Sequence, residues 1–159
     1  MRYRDPLYGE WEVPPPIERL IQTREMARLR KITQLTLPNS LIPYGTPIPS
    51  RFQHSMGVCF LATKVIAANP ALAEHKLLLT VVALLHDVGS PPFSHLGEHF
   101  LQEVMKKDGD TFLPDILRHF EEAEEIIAEL GLSVRDICDV VAGNRRPLSE
   151  FLNFELDLD

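Results

Sequence analysis

The sequence predicts an all-α helical bundle, and three observations support that fold class. Apolar residues recur at helical spacing along most of the chain, no run of β-branched residues alternates with period two, and residues 73–88 are apolar on nearly every side. A helix that is apolar all round is buried at the centre of a bundle. The 159 residues are enough for one domain with its own core, so we expect a single domain over 1–159.

The first part of the chain divides at its prolines. Residues 1–16 are expected to form an extended cap, because the prolines at 14–16 lead into a helix whose first turn accepts proline. Apolar positions from Ile17 to Ile32 recur at helical spacing with arginines between them, which predicts one amphipathic helix. Four prolines and a glycine within residues 37–50 predict a loop, and loops of that length are often functional.

The remaining helices follow from the same spacing. One helix is expected to begin near Arg51 and to end at Asn69, before Pro70, and the central apolar helix follows over 73–88. Later helices are expected over 96–106, over 114–130 with a break left open, and over 134–142. Gly131 is placed to end the helix that precedes the last one.

Composition limits the function classes. The net charge of −7 does not suit a protein that follows a phosphate backbone, so nucleic acid is not an expected partner. Cys59 and Cys138 have no metal-site spacing and are expected to be buried, reduced thiols. The chain has no signal-peptide core, and its longest apolar run, residues 77–85, is too short to span a bilayer. We therefore expect a cytoplasmic protein without membrane contact.

The most apolar part of the chain ends in ALLHDVGSPPFSH, from Ala83 to His95. His86 and Asp87 are expected in the last turn of the central helix, because Gly89 is placed to end it and two prolines follow. A helix C-terminus favours a cation, and imidazole and carboxylate are ordinary ligands of transition metals. The alternative is structural: His86 donates a hydrogen bond to a carbonyl group, and Asp87 caps the next turn.

His54 favours the metal site over the structural alternative. It lies near the start of the helix that precedes the central one, and that helix must run back beside its neighbour. His54 and His86 can then face one another, so that three ligands converge from two helices. Further polar side chains follow along the chain: His95, His99, His119, which is expected to open a later helix, and Asp157 or Asp159 of the closing ELDLD.

These motifs resemble the HD superfamily of metal-dependent phosphohydrolases, and specifically its deoxynucleoside triphosphate triphosphohydrolase branch. The resemblance rests on RFQHSMGV at 51–58 and LLHDVGSPPFSHLGE at 84–98. DPLYG at 5–9, TREMARLRKITQL at 23–35 and NFELDLD at 153–159 are similar to further segments of that branch. The resemblance therefore covers almost the whole chain. It implies an HD-domain helical bundle with a metal site between its central helices. Because the branch continues beyond its last ligand motif, we expect this chain to be the N-terminal part of a longer one.

The resemblance implies a ligand set, which agrees with the residue types. Its metal ligands fall on His54, His86, Asp87 and Asp159. Two imidazoles and two carboxylates leave coordination positions open for a water and a phosphoryl oxygen, so they imply hydrolysis of a phosphate ester. One divalent ion is expected. Imidazole favours manganese, iron, zinc or nickel, while magnesium stays open.

The resemblance also implies residues that handle protons and substrate. Imidazole titrates near neutral pH, so a histidine beside the metal can act as a general acid. Where the family has a histidine this chain has a serine, whose hydroxyl donates a hydrogen bond but is no acid near pH 7. The matching catalytic positions are His95, His119 and Glu98, and the matching substrate-binding positions are Arg51, Gln34 and Ser90.

Three functions follow from the sequence. The leading one is hydrolysis of a phosphorylated small molecule, a nucleotide, and in its sharpest form conversion of a deoxynucleoside triphosphate to deoxynucleoside and tripolyphosphate. The second is an HD phosphodiesterase or nucleotide phosphatase with one or two metals. The third is a non-catalytic HD module that binds a nucleotide or a partner. A homo-oligomer stays open, because no interface can be identified from the sequence.

Overall fold

The chain folds as a bundle of α-helices preceded by a small β-hairpin, which confirms the all-α class. The computed structural model describes residues 1–34, 48–106 and 108–152, with His95 described in its backbone alone. The hairpin pairs β1 (Arg2–Asp5) with β2 (Gly9–Glu12) in antiparallel register. The helices are α1 (Pro15–Ile21), α2 (Arg24–Leu29), α3 (Arg51–Ala68), α4 (Lys76–Leu85), α5 (His95–Met105), α6 (Gly109–His119), α7 (Glu122–Glu129) and α8 (Val134–Val141).

The hairpin replaces the extended cap expected over residues 1–16. The Asp5 carboxylate accepts hydrogen bonds from the backbone N–H groups of Leu7 and Tyr8, which closes the turn between the strands. Trp11 packs its ring against Tyr3 in β1 and is 8% exposed. The hairpin therefore joins the apolar core of the bundle.

The expected single helix over Ile17–Ile32 is wrong, because two short helices stand in its place. Thr23 caps α2: its hydroxyl accepts from Met26 N–H and donates to the Leu20 carbonyl. A threonine that satisfies the first turn of a new helix favours a break, since its side chain competes for backbone groups. The apolar positions still face the core on both helices, which is why the spacing alone indicated one.

α3 and α4 form the centre of the bundle and pack against one another. α3 begins at a capping box in which the Ser50 hydroxyl accepts from Gln53 N–H and the Gln53 side chain accepts from Ser50 N–H. α4 is buried along nearly its whole length, from Leu78 to Leu85. The prediction of an apolar helix at the centre is therefore confirmed.

His86 and Asp87 do not lie in the last turn of α4. The helix ends at Leu85, and a separate 3-10 turn over His86–Gly89 carries the pair. The turn packs tightly on the start of α6, since a β-carbon added at Gly89 would lie 1.9 Å from the carbonyl oxygen of Gly109. This close approach needs glycine, so Gly89 joins two elements as well as ending a helix.

The expected helix over 114–130 is divided in two and begins earlier. The Asp108 side chain accepts from Thr111 N–H and caps α6, so that Pro114 lies inside the helix and not at its start. α6 ends at His119, and α7 begins at Glu122. The expectation that His119 opens a helix is therefore wrong, because the cap at Asp108 moves the whole helix toward the N-terminus. The expected helix over 96–106 is found over 95–105, and the one over 134–142 over 134–141.

Both cysteines are free thiols, as expected. Cys59 is buried in α3 and Cys138 is half-buried in α8. Desolvation by burial raises the pKa of Cys59 to about 12 and is also the main cause that raises the pKa of Cys138 to about 11. Among the described residues, no helix has the length and apolar character needed to cross a bilayer.

Gly89→Ala tests the close packing of the 3-10 turn on α6. The added methyl group meets a backbone carbonyl that has no room to move, so we expect the free energy of unfolding to fall by about 1–3 kcal/mol. The measurement is urea unfolding followed by circular dichroism. Gly57→Ala is the control, because its β-carbon would meet only the Tyr8 ring at 3.3 Å. Equal stability of the two variants would contradict the close packing.

The raised cysteine pKa values predict slow alkylation of the native protein. At pH 8 the thiolate fraction of both cysteines is small, so iodoacetamide should react at least about tenfold more slowly than with the chain in urea. Mass spectrometry over time measures the rate. Rapid modification of Cys59 in the native protein would contradict the buried position of this thiol.

Candidate metal centre

His86 presents one ring nitrogen toward the space between α3 and α4. Its Nδ1 lies 3.0 Å from the Ala83 carbonyl oxygen, and because a carbonyl only accepts, Nδ1 carries the proton and donates. In the neutral ring this leaves the lone pair on Nε2. The carbonyl of α4 thereby sets both the tautomer and the direction of the imidazole, as is usual for metal-ligating histidines.

His54 meets His86 from the neighbouring helix. It lies in the first turn of α3, directly after the capping box, and its Nε2 is 3.3 Å from Nε2 of His86. The expectation that these histidines face one another is confirmed. Two nitrogens so close can share one hydrogen bond, or one cation can lie within ligand distance of both.

The two carboxylate oxygens of Asp87 have different surroundings. Oδ1 accepts from the guanidinium of Arg51 and, at 3.1 Å, from the hydroxyl of Ser90. Oδ2 is buried and has no hydrogen-bond partner within the described part of the chain. It lies 3.8 Å from His54 Nε2 and 3.9 Å from His86 Nε2. One oxygen is therefore held in place while the other faces both imidazoles.

The three side chains fit a divalent metal ion. Their ligand atoms all lie within 4.8 Å of one another, and such ions bind imidazole nitrogen and carboxylate oxygen at about 2.0–2.2 Å. The unpartnered Oδ2 supports this fit, because a buried carboxylate oxygen without a hydrogen bond is costly unless a cation satisfies it. His54, His86 and Asp87 could therefore hold a metal. The structural alternative, in which Asp87 only caps the next turn, does not explain why Oδ2 is buried without a hydrogen bond.

Arg51 holds the aspartate from the start of α3. It is 5% exposed and donates to Asp87 through Nη1 and to the Ser94 hydroxyl through Nε and Nη2. Ser94 and the preceding Phe93 both have positive φ, 51° and 67°, a region that non-glycine residues rarely adopt. The hydrogen bonds from Arg51 to Ser94 help to hold this turn, so one guanidinium positions both the ligand and the segment that leads into α5.

Ser90 belongs to the same network. The residue is buried, and its hydroxyl donates to Asp87. The serine therefore supports a candidate metal ligand from behind. A histidine at this position would place a bulkier, titratable ring beside the carboxylate.

Arg28 is a site residue that the sequence analysis missed. From α2 it donates to the carbonyl oxygens of Val88 at 2.6 Å and Ser90 at 2.7 Å, on the far side of the 3-10 turn. The planar guanidinium thereby satisfies two carbonyl groups on either side of Gly89. Desolvation lowers the pKa of Arg28. The sequence did not single it out, because Arg28 is one of several arginines in the same predicted amphipathic helix.

An acidic group lies on the other side of the turn. The half-buried Glu98 places Oε1 3.0 Å from where a β-carbon on Gly109 would stand, so its carboxylate lies at the start of α6. The pKa of Asp110 is raised, first by desolvation and then by the negative charges of Asp108 and Glu98, while the charge of His86 opposes this shift. The metal centre therefore has carboxylates close by in α5 and α6.

The other expected site residues are not part of the three-residue cluster. His95 is the first residue of α5, immediately after Ser94. Gln34 donates its backbone N–H to the Pro49 carbonyl, and its buried side-chain oxygen has no partner among the described residues. His119 is exposed at the end of α6 beside the Phe120 ring, outside the three-residue cluster. Asp159 lies outside the described residues, as do residues 37–47 of the loop expected over 37–50.

The sequence of this region matches a known protein family. A family model described as the HD domain matches residues 51–155, which contain all three converging side chains. The chain belongs to the HD domain family. The matched range includes His54, His86 and Asp87, the three residues whose ligand atoms converge.

Two curated relatives of this HD domain are named as nucleotide hydrolases or as similar to one. A deoxynucleoside triphosphate triphosphohydrolase SAMHD1 from Xenopus laevis is 36% identical over 148 residues, which cover 84% of this chain and 23% of that protein. A deoxyguanosinetriphosphate triphosphohydrolase-like protein 1 from Deinococcus radiodurans is 32% identical over 113 residues, 71% of this chain and 28% of that protein. The chain thus spans about a quarter of the length of these relatives.

The fold also matches a solved structure. A crystal structure of a hypothetical protein from Aquifex aeolicus superposes with a TM-score of 0.81 at 28% sequence identity. The match covers 99% of this chain and 43% of that one. The helical arrangement around the HD pair is therefore shared with a larger protein.

Arg28→Lys tests whether the arginine on α2 supports the metal centre. Lysine keeps the charge but loses the fork that binds two carbonyls, so the 3-10 turn should loosen and metal affinity should fall about 10- to 100-fold. Isothermal titration of the metal-free protein with manganese or zinc measures the affinity.

The matched control is Arg24→Lys on the same helix, whose exposed side chain pairs with Glu122. This variant should bind metal as the parent protein does. Equal affinity of both variants would show that the Arg28 bonds do not contribute to the site.

Proposed function

We propose that this HD domain carries out metal-dependent hydrolysis of a phosphate ester in a nucleotide, in its sharpest form the conversion of a deoxynucleoside triphosphate to deoxynucleoside and tripolyphosphate. The observation that carries the proposal is the convergence of His54, His86 and the unpartnered Oδ2 of Asp87. The substrate class is supported by similarity to proteins named as deoxynucleoside triphosphate triphosphohydrolases.

The ligand set suits hydrolysis. A divalent ion at this site would acidify a bound water into a nucleophile and polarise a phosphoryl oxygen. His54, His86 and Asp87 would hold it, with Asp159 as the proposed fourth ligand. Imidazole ligands favour manganese, iron, zinc or nickel, and magnesium stays open.

Proton transfer to the leaving oxygen needs a group near the metal that titrates near neutral pH. His95 is our first assignment, because its backbone follows Ser94, which Arg51 links to Asp87. Glu98, in the same helix, can hold a nearby imidazole in its charged form. His119 stays a prediction, and its exposed place at the end of α6 offers less support. Ser90 cannot act as this acid, since its hydroxyl is committed to Asp87.

Positive charge near the site is needed for a polyphosphate. Arg51 lies beside the ligands, and its first role here is to hold Asp87, because its guanidinium donates to that carboxylate and to Ser94. The phosphate contact implied by the resemblance stays a prediction, as does the contact of Gln34 with the sugar. The bridge between its neighbour Thr33 and Ser50, at the start of α3, supports the prediction for Gln34.

The test is product analysis with His86→Ala as the metal-site variant. The chain, reconstituted with manganese, is incubated with each deoxynucleoside triphosphate, and the products are followed by phosphorus NMR. We expect the parent chain to release tripolyphosphate. We expect His86→Ala to lose the metal and to react at least about 100-fold more slowly. His75→Ala is the matched control, because His75 pairs with Glu74 at the surface.

Each other outcome overturns the sharp form of the proposal. Orthophosphate or pyrophosphate as the first product would indicate a phosphatase or phosphodiesterase. Metal and nucleotide binding without any turnover would indicate a binding module. Full activity in His86→Ala would show that the reaction does not need the metal centre.

A further inference from the structure

A cavity of about 720 Å³ opens between α2 and the turn that leads into α5. Residues of α2 and of the short segment after it form one wall, and Pro92 and Phe93 form the other. His54, His86 and Asp87 are not among the residues that line it, so the cavity is separate from the candidate metal centre. Its volume falls within the range of about 300–1,000 Å³ that is usual for small-molecule sites.

The charged residues in the wall of this cavity are basic. Arg24, Arg28 and Lys31 line it, whereas no acidic residue in the described part of the chain does so. This concentration of positive charge contrasts with the net charge of −7 of the whole chain. A concave surface lined by one sign of charge raises the local concentration of ions of the opposite sign. The cavity therefore favours an anionic ligand.

Two of the three cations are available to such a ligand. Lys31 is exposed, and Arg24 pairs with Glu122 at 3.1 Å in a contact whose side chains are 71% and 41% exposed. An exposed ion pair contributes little to stability, so the Arg24 side chain can exchange Glu122 for another anion at small cost. Glu122 keeps the backbone N–H of Arg24 as a donor. Arg28 is committed to two backbone carbonyl oxygens, but its charge stays in the wall.

Phe93 lines the cavity and yet is 75% exposed. Its φ is 67° and that of Ser94 is 51°, which is unfavourable for two successive non-glycine residues. Burial of the ring does not offset this strain, and Arg51 holds the turn through its hydrogen bond to Ser94. Strained backbone of this kind is concentrated at ligand sites. An aromatic wall also keeps water away from ion pairs, which strengthens them.

We propose that this cavity binds a chain of phosphate groups, with Arg24 and Lys31 donating to phosphate oxygens and Arg28 adding positive charge from the wall. Seven residues of helical backbone separate Arg24 from Lys31 by roughly 10 Å, so the two cations can bind different phosphates of one chain. Tripolyphosphate has this form. It is also the product in the sharp form of the proposed function, but the inference rests on the cavity and does not depend on that function.

The first experiment titrates the whole chain with tripolyphosphate by isothermal calorimetry, without added metal ion. We expect saturable binding that weakens at least about tenfold between about 50 mM and about 500 mM salt, because exposed ion pairs are screened. The double variant Arg24→Gln with Lys31→Gln should lower the affinity at least about tenfold, because it removes both donors. Arg28 is left unchanged, since it also holds the 3-10 turn.

The matched control is the double variant Lys64→Gln with Arg135→Gln. It removes the same charge from exposed positions on α3 and α8, so it should bind tripolyphosphate as the parent chain does. His86→Ala should also bind it equally, because this residue does not line the cavity. A failure of the proposed hydrolysis therefore leaves the outcome of this test unaffected. Circular dichroism checks that each variant keeps the fold.

The second experiment locates the ligand and identifies its source. Lysines are acetylated with an N-hydroxysuccinimide ester and followed by mass spectrometry, and tripolyphosphate should protect Lys31 but not Lys64. Deoxyadenosine triphosphate is the comparison ligand. An affinity equal to that of tripolyphosphate identifies the phosphate chain alone as the ligand, whereas a higher affinity that Phe93→Ala abolishes identifies a nucleoside triphosphate.

Three results would overturn the proposal. The first is the absence of saturable binding of either ligand. The second is an equal loss of affinity in the two double variants, or a loss in His86→Ala. The third is Lys31 that is acetylated at the same rate with and without saturating tripolyphosphate.

Discussion

The buried ion pair of Arg51 and Asp87 is the interaction on which the site depends. The side chains of Arg51 and Asp87 are 6% and 9% exposed, and burying either alone would be strongly unfavourable. The arginine opens α3 and the aspartate follows α4, so the pair joins the two central helices at the ends where the histidines meet. Ser94 and Ser90 supply further hydrogen bonds, which reduces the cost of burying both charges.

The pair also decides which carboxylate oxygen is available. Arg51 and Ser90 occupy Oδ1 of Asp87, and Oδ2 is left toward the two imidazoles. The short turn that carries the aspartate is held from outside as well, by the Arg28 fork and by the close contact of Gly89 with α6. A metal ligand held on several sides is already oriented before an ion binds, so less order is lost on binding.

α5 contrasts with this rigid centre. It carries two expected catalytic residues, His95 and Glu98, yet it lies on the bundle along one side only. Its other side exposes three large apolar side chains, those of Leu96, Phe100 and Val104. Helices with few buried contacts are the ones that open most readily.

The sequence by itself determined the helical class, the buried α4, and His54, His86 and Asp87 as candidate ligands, because hydrophobic spacing and neighbouring motif residues are local properties. The break at Thr23 and the early start of α6 at Asp108 come from local caps that outweigh the hydrophobic spacing. Only the tertiary structure decided the rest. The 3-10 turn over His86–Gly89 is held by contacts with Arg28 and with the start of α6. Arg28 could not be singled out among similar arginines, since its carbonyl partners are 60 and 62 residues away in the sequence. The free oxygen of Asp87 depends likewise on Arg51, which reaches it only once α3 and α4 have packed.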